Sequence, residues 1–159
     1  VYEFSRKMGP LFVVPIRGDT QKGKPIVKLP KKKNDKKVYL TFIGTDTAKE
    51  IIVDRLGILE PGEGYSHFPV SDDFDEEYFK QLTNERKVEK LVKGRTVIDW
   101  DAGGRRNEPF DTSVYNLAAI RALKQYFHFD LDKCVEDSEQ QTNKTNTPSL
   151  EELGAMLGG

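Results

Sequence analysis

One stretch decides the fold of this chain: residues 105–119, which read Arg-Arg-Asn-Glu-Pro-Phe-Asp-Thr-Ser-Val-Tyr-Asn-Leu-Ala-Ala. Pro109 suits the first position of a helix, where its missing N–H would have no partner in any case, and Asn107 is a favourable cap just before it. The apolar side chains that follow recur at helical spacing and define a buried face; they are Phe110, Val114, Leu117 and Ala118. The stretch therefore predicts a packed helix that runs to about Phe127.

Asp111 lies beside that face, in the first turn of the predicted helix and shortly after two arginines. An acid at the wet edge of a packed helix can hold a hard cation such as Mg²⁺ against a phosphate. Acids are also common in a first helical turn because they complement the helix dipole. The spacing alone therefore leaves two interpretations of Asp111 open, a metal ligand or a residue that only stabilises the helix.

The hydrophobic pattern predicts further strands and helices on both sides of this stretch. They are a helix end at Val1–Lys7, strands at Leu11–Ile16 and Val38–Ile43, a helix opened by the capping box Thr47–Glu50 and ending at Leu56, a helix at Asp72–Glu85, and a hairpin of Lys87–Val92 and Arg95–Trp100. Because the first helix has no cap before it, we expect the chain to be a truncated piece. Trp100 is expected to pack against the long helix.

Composition predicts one ordered domain with a charged appendage. The chain has 159 residues, of which 36% are hydrophobic and 32% are charged, and its net charge is −1. Residues 136–147 are polar and lack periodicity, so we predict disorder there, followed by a short helix that begins at Ser149. We therefore divide the chain into a domain at 1–130 and an acidic, mostly disordered tail at 131–159.

The single cysteine, Cys134, excludes an internal disulfide framework and fits a reducing compartment. No apolar run approaches the length of a membrane span, and no signal peptide opens the chain. These features predict a soluble intracellular protein without a membrane partner.

Positive charge is concentrated in one loop. Nine basic residues lie between Arg17 and Lys37, against two acidic ones, and Lys31, Lys32 and Lys33 are consecutive. Such a loop can contact the phosphates of DNA, but composition supports a merely solvated loop equally well. The segment Gly18–Pro25 resembles a phosphate-binding loop, yet its last position lacks the hydroxyl that would bind Mg²⁺, so nucleotide binding is not predicted there.

Five blocks of the sequence, in this order, resemble the nuclease domain of lambda-type phage terminase large subunits. The blocks are Val14–Gly18 with the lysine-rich loop, Tyr39–Lys49, Glu60–Pro69, Asp75–Thr83, and finally Lys93–Arg95 with Trp100 followed by Arg106–Glu108, Asp111 and Val114–Tyr115. The resemblance covers residues 1 to about 125 and leaves the tail uncovered.

The resemblance implies an RNase H-like α/β fold and a metal-dependent endonuclease that cuts concatemeric viral DNA during genome packaging, beside an ATPase motor on the same polypeptide. It implies two Mg²⁺ or Mn²⁺ ions held by a carboxylate cluster, with Asp111 as the catalytic, metal-binding third acid. The family usually has Ala-Leu where this chain has Pro109-Phe110, which keeps the spacing of the acid. The other acids of the family lie upstream of the first helix, so we expect an incomplete nuclease fold here.

The same resemblance suggests which residues contact double-stranded DNA. Arg105 and Arg106 lie just before the helix that carries Asp111, at the same end as this acid. They are candidates for contact with a phosphate, or else they form an exposed flank of the helix. Lys49, at the start of the shorter helix, is a weaker candidate, since a lone charge is usually solvated. The family also implies the terminase small subunit and the portal protein as partners, in the cytoplasm of an infected or lysogenic bacterial host.

A second class of function stays open at this point. The chain could be a non-catalytic DNA-binding or portal-docking module that uses the basic loop for DNA and the acidic tail for a protein. The segment Ser149–Leu157 has the leucine and methionine spacing of an amphipathic docking peptide.

Overall fold

The computed structural model of the chain describes residues 1–9, 12–136 and 138. The elements in chain order are helix α1 (Tyr2–Met8), strands β1 (Ile16–Asp19), β2 (Val27–Lys28) and β3 (Thr41–Gly44), helices α2 (Thr45–Leu56) and α3 (Glu76–Thr83), strands β4 (Arg86–Val92) and β5 (Arg95–Asp101), and helix α4 (Glu108–Phe127). Residues 131–136 are also helical. The predicted α/β class is confirmed.

Two compact units make up the chain. The first is Val1–Ala122, and the second begins at Leu123, where the Phe129 N–H donates to the Leu123 carbonyl at 3.1 Å. Apart from residues 136 and 138, the predicted disordered segment and terminal helix lie outside the described residues, and the domain boundary at residue 130 stays a prediction. Within the described ranges, no helix has the length and apolarity needed to cross a membrane.

A three-stranded sheet in the order β1-β3-β2 opens the fold. Strand β1 runs parallel to β3, with Ile16 opposite Thr41, and β2 runs antiparallel to β3. The prediction of a strand at Leu11–Ile16 is wrong in its position, because residues 12–15 lie outside any strand and Phe12 is 81% exposed. β1 starts late because its pairing strand, β3, begins only at Thr41. The Thr41 N–H donates to the Pro15 carbonyl at 2.9 Å, but Pro15 has no N–H with which to continue the pairing toward the N-terminus.

Strand β3 passes directly into helix α2 at Gly44. A Cβ on Gly44 would come within 2.5 Å of the Pro25 carbonyl, so only glycine allows the chain before β2 to pack this closely. Helix α2 starts at Thr45, two residues before the predicted capping box. The Thr47 hydroxyl does not cap the helix, because it donates to the Lys24 carbonyl at 2.8 Å.

The hairpin follows the sequence pattern closely, and helix α3 lies within the predicted stretch but is shorter. The Asp75 carboxylate accepts the Tyr78 N–H at 2.7 Å and caps α3, which is shorter at both ends than predicted. The predicted hairpin is confirmed, since β4 and β5 pair antiparallel. Lys93 and Gly94 both have positive φ, 50° and 75°, as a two-residue turn of the type I′ class requires.

The predicted buried face of α4 is confirmed and supplies four of the eight residues of the main buried cluster among the described residues. The buried cluster consists of Ile43, Ala48, Ile52, Leu82, Phe110, Val114, Leu117 and Ala118. Phe110 is fully buried, and the Trp100 ring packs against it at 5.7 Å between centroids, as expected. Truncating a side chain buried like Phe110 to alanine typically costs about 3–5 kcal/mol, so this helix is fixed against α2 and the hairpin.

Candidate functional site

Asp111 lies at the boundary between the buried face of α4 and solvent. Its N–H donates to the Asn107 carbonyl at 3.1 Å within the first turn of the helix. Its neighbour Phe110 is fully buried, whereas the Asp111 side chain is 40% exposed. The carboxylate is thus held by a rigid helix and remains open to a ligand.

A second carboxylate, Glu85, meets Asp111 at the Lys49 ammonium. Lys49 Nζ lies 2.5 Å from Glu85 Oε1 and 3.7 Å from Asp111 Oδ1. The other Glu85 oxygen, Oε2, accepts a hydrogen bond from Asn107 Nδ2 at 2.7 Å. The Lys49 and Glu85 side chains are only 13% and 7% exposed. We refer to Glu85 and Asp111 as the carboxylate pair.

Three separate elements bring this site together. Lys49 comes from the first half of α2, Glu85 from the junction of α3 with β4, and Asp111 from the start of α4. The Asn107 side chain, just before α4, donates from Nδ2 to Glu85 Oε2, and this hydrogen bond joins the start of α4 to that junction.

Burial and neighbouring charges shift the pKa of the Asp111 carboxyl. Burial is the largest influence on the Asp111 carboxyl and raises its pKa. The positive charge of Lys49 lowers the pKa, while the negative charges of Glu85 and Glu108 raise it, and the net result lies above the ordinary aspartate value. Desolvation therefore outweighs the attraction of Lys49, and a further positive charge beside Asp111 would favour the ionised carboxylate.

The two carboxylates are oxygen donors of the kind that a hard divalent ion prefers. Mg²⁺ is usually held by one or two carboxylates together with water and substrate phosphate oxygens, and the carboxylate pair supplies two such groups. Asp111 is the more accessible donor, because both Glu85 oxygens already accept hydrogen bonds. Across the described part of the chain, no group of three or more His, Cys, Asp or Glu side chains is arranged to hold a metal ion.

The two predicted arginines lie beside the site. Arg105 donates from Nε to the Ala102 carbonyl and from Nη2 to the Asn84 carbonyl, both at 3.0 Å. Asn84 in turn donates from Nδ2 to the Arg106 carbonyl at 2.8 Å. Both arginines are exposed, and these bonds join their loop to the residue that precedes Glu85.

The predicted lysines have different surroundings. Lys49 is largely buried on the carboxylate pair, which favours a role inside the site over contact with distant DNA backbone. Lys31, Lys32 and Lys33 are exposed, and Lys33 Nζ lies 5.5 Å from the Tyr39 ring centroid. None of the hydrogen bonds and ion pairs of the described residues links these three to Asp111.

Glu85 is the functional candidate that the sequence analysis missed. It follows the end of α3 and precedes β4, so it belongs to no periodic pattern that would mark it. Its partners are 36 residues earlier and 22 residues later in the chain, and only the tertiary fold brings them together. The one local feature that could have indicated a role for Glu85 is its own carboxylate, in a polar stretch between a helix and a strand.

Comparison with known proteins gives consistent results. Residues 1–130 match the family described as "Terminase large subunit gpA, endonuclease domain". The whole chain aligns with the terminase large subunits of Escherichia phage lambda, at 42% identity, and of Enterobacteria phage P21, at 38% identity, each over 165 residues. The alignments cover 26% and 25% of those two proteins, so the chain spans about a quarter of the length of these relatives. No solved structure matches the chain.

Proposed function

The chain belongs to the family of terminase large subunit gpA endonuclease domains, and from that premise we propose that it is part of a metal-dependent endonuclease that cuts concatemeric viral DNA during genome packaging. One observation carries the proposal for this chain: the Asp111 and Glu85 carboxylates converge on the Lys49 ammonium at the edge of the core. Separate elements hold all three groups, and one of the acids is open to solvent, as a phosphodiester substrate requires.

Each group has a role in this proposal. Asp111 would hold the divalent ion, Mg²⁺ or Mn²⁺, with Glu85 as a second oxygen donor. When bound, such an ion lowers the pKa of water and stabilises charge on the phosphate and leaving oxygens. Lys49 places a positive charge beside the same phosphate and stabilises the charge that develops there. Arg105 and Arg106 contact neighbouring phosphates.

The proposal includes groups contributed by the rest of the large subunit. Two carboxylates suit one Mg²⁺, whereas a two-ion mechanism needs more anionic ligands. We propose that further acids come from elsewhere in the polypeptide, and that strands from the same region complete an RNase H-like sheet around the parallel β1–β3 pair.

The substrate in this proposal is double-stranded DNA, and the partners are the terminase small subunit and the portal protein. The place of action is the cytoplasm of an infected or lysogenic bacterial host. Lys31, Lys32 and Lys33, which are exposed, contact DNA phosphates without reading sequence.

The test is Asp111→Asn in the complete large subunit that carries this chain. Asparagine keeps the size of the side chain but removes the charge that holds the ion, so the rate of DNA cutting should fall by about 10²-fold or more. The matched control is Asp99→Asn on the hairpin, where the acid pairs with Lys90 away from the carboxylate pair. Normal cutting by Asp111→Asn would show that Asp111 only stabilises the helix.

A further inference from the structure

The Lys49 ammonium contacts two aromatic rings as well as the carboxylate pair. Lys49 Nζ lies 5.9 Å from the centroid of Trp100 and 5.5 Å from that of Phe110. The two rings are tilted by 55° and form what we call the aromatic corner. The face of an aromatic ring attracts an ammonium within about 6 Å, and more strongly where water is excluded.

A buried acid outside the carboxylate pair fixes this corner. Asp46 is 6% exposed, and its Oδ1 accepts a hydrogen bond from Trp100 Nε1 at 3.1 Å. A carboxyl group this deeply buried is costly unless it is hydrogen-bonded, and the indole N–H provides such a partner. Asp46 and Lys49 are three residues apart on α2, so they lie on the same side of the helix.

We propose that Asp46 and Trp100 are positioning residues for Lys49. Asp46 fixes the orientation of the indole, and the indole together with Phe110 holds the ammonium on the carboxylate pair. Lysine has a long side chain that loses rotamer entropy when it is fixed, so a charge that must meet one phosphate oxygen benefits from such a support. The inference rests on the proposed nuclease function, since it explains how one charge of that site is held.

The chain contains its own control for this inference. Lys87 Nζ also lies 5.5 Å from the Trp100 ring centroid, but its ammonium is paired with Glu50 and not with the carboxylate pair. Lys87→Met therefore removes a cation from the same ring and leaves the Lys49 contacts in place.

The first readout is spectroscopic and needs no activity. Trp100 is the only tryptophan of the chain, so a ¹H–¹⁵N spectrum of the 159-residue chain contains one indole N–H peak. We expect Asp46→Ala to shift this peak and to speed its exchange with solvent by roughly tenfold or more, because the N–H loses its buried acceptor. In Asp46→Asn the amide oxygen can still accept, so slow exchange should be retained.

The second readout is cleavage by the complete large subunit in single turnover. Trp100→Phe and Asp46→Ala both break the indole–carboxylate bond, and each should lower the cleavage rate by roughly tenfold while DNA affinity stays unchanged. Since both changes remove one interaction, the double variant should be no slower than the slower single variant. Asp46→Asn should restore most of the rate, and Lys87→Met should cut within about twofold of the unchanged enzyme.

Three results would overturn the inference. The first is normal cleavage by Trp100→Phe and Asp46→Ala while Asp111→Asn is inactive, which leaves the proposed function intact. The second is a rate loss that only follows the unfolded fraction in a thermal melt, because Trp100 would then be a packing residue. The third is an equal loss in Lys87→Met. Normal cutting by Asp111→Asn and Glu85→Gln, in contrast, would refute the proposed function itself.

Discussion

The ion pair of Lys49 with Glu85 should contribute more to stability than any other in the described part of the chain. Glu85→Leu removes the acceptor of two hydrogen bonds, from Lys49 at 2.5 Å and from Asn107 at 2.7 Å. Lys49, whose side chain is 13% exposed, then keeps Asp111 at 3.7 Å as its remaining acidic partner.

The size of the effect follows from this geometry. Breaking a buried pair by removing one partner typically costs about 3–5 kcal/mol, and the unpaired Asn107 amide adds about 1 kcal/mol. Asp111 stays near Lys49 and offsets part of this, so we expect Glu85→Leu to lower the free energy of unfolding by about 3 kcal/mol. Lys49→Met should cost about 2 kcal/mol, because Glu85 keeps its bond from Asn107.

The double variant is the decisive measurement. Lys49→Met with Glu85→Leu leaves no buried charge unpaired at this contact, so its cost should be about 2–3 kcal/mol below the sum of the single costs. Urea unfolding followed by circular dichroism gives all four free energies. Lys80→Met is the control, because its pair with Glu76 is exposed and should change the free energy by less than about 0.5 kcal/mol. If the double variant instead costs as much as the two single variants together, Lys49 and Glu85 do not stabilise each other and the described ion pair is refuted.

Two further predictions concern charge. The pKa of Asp111 is raised in the folded chain, so its favourable contribution to stability is complete below the ordinary value of 3.8 and is lost as the pH rises through the folded pKa. In metal-free buffer, the melting temperature of Asp111→Asn relative to the unchanged chain should therefore increase from pH 3 to pH 7, and a constant or decreasing difference would contradict the environment described for Asp111. For the basic loop, Lys31, Lys32 and Lys33→Gln should weaken DNA binding about equally for all duplexes and reduce the slope of log K against log salt by up to about 2.7. An unchanged slope in an anisotropy titration would mean that the loop is only solvated.

Sequence patterns were sufficient where a structure depends on local spacing. The buried face of α4 follows from the helical repeat of Phe110, Val114 and Leu117, because one side of a helix must pack. The hairpin follows from the Lys93-Gly94 turn, whose positive φ angles fix the register of both strands. The position of Asp111 in the first turn of α4 could be predicted for the same reason, whereas its metal-binding role was implied by the family resemblance and stays a prediction.

Patterns failed where a residue's role depends on a distant partner. An apolar run does not reveal which of its residues pair with a neighbouring strand. The predicted strand Leu11–Ile16 therefore starts several residues before the observed β1. Glu85 lies between a helix and a strand, and its contact with Lys49 spans 36 residues. Asp46 and Trp100 are 54 residues apart in the chain, so their bond leaves no mark on local composition.

The tip of the β4–β5 hairpin is a suitable place to attach a probe to this domain. Its strands pair from Arg86–Asp101 to Val92–Arg95, and six residue steps place the tip roughly 20 Å along the strands from the end that adjoins Glu85. Leu91, near the tip, is 76% exposed. A fluorophore or affinity peptide inserted between Lys93 and Gly94 would therefore extend into solvent, and natural variation in hairpin length would be tolerated at the same point.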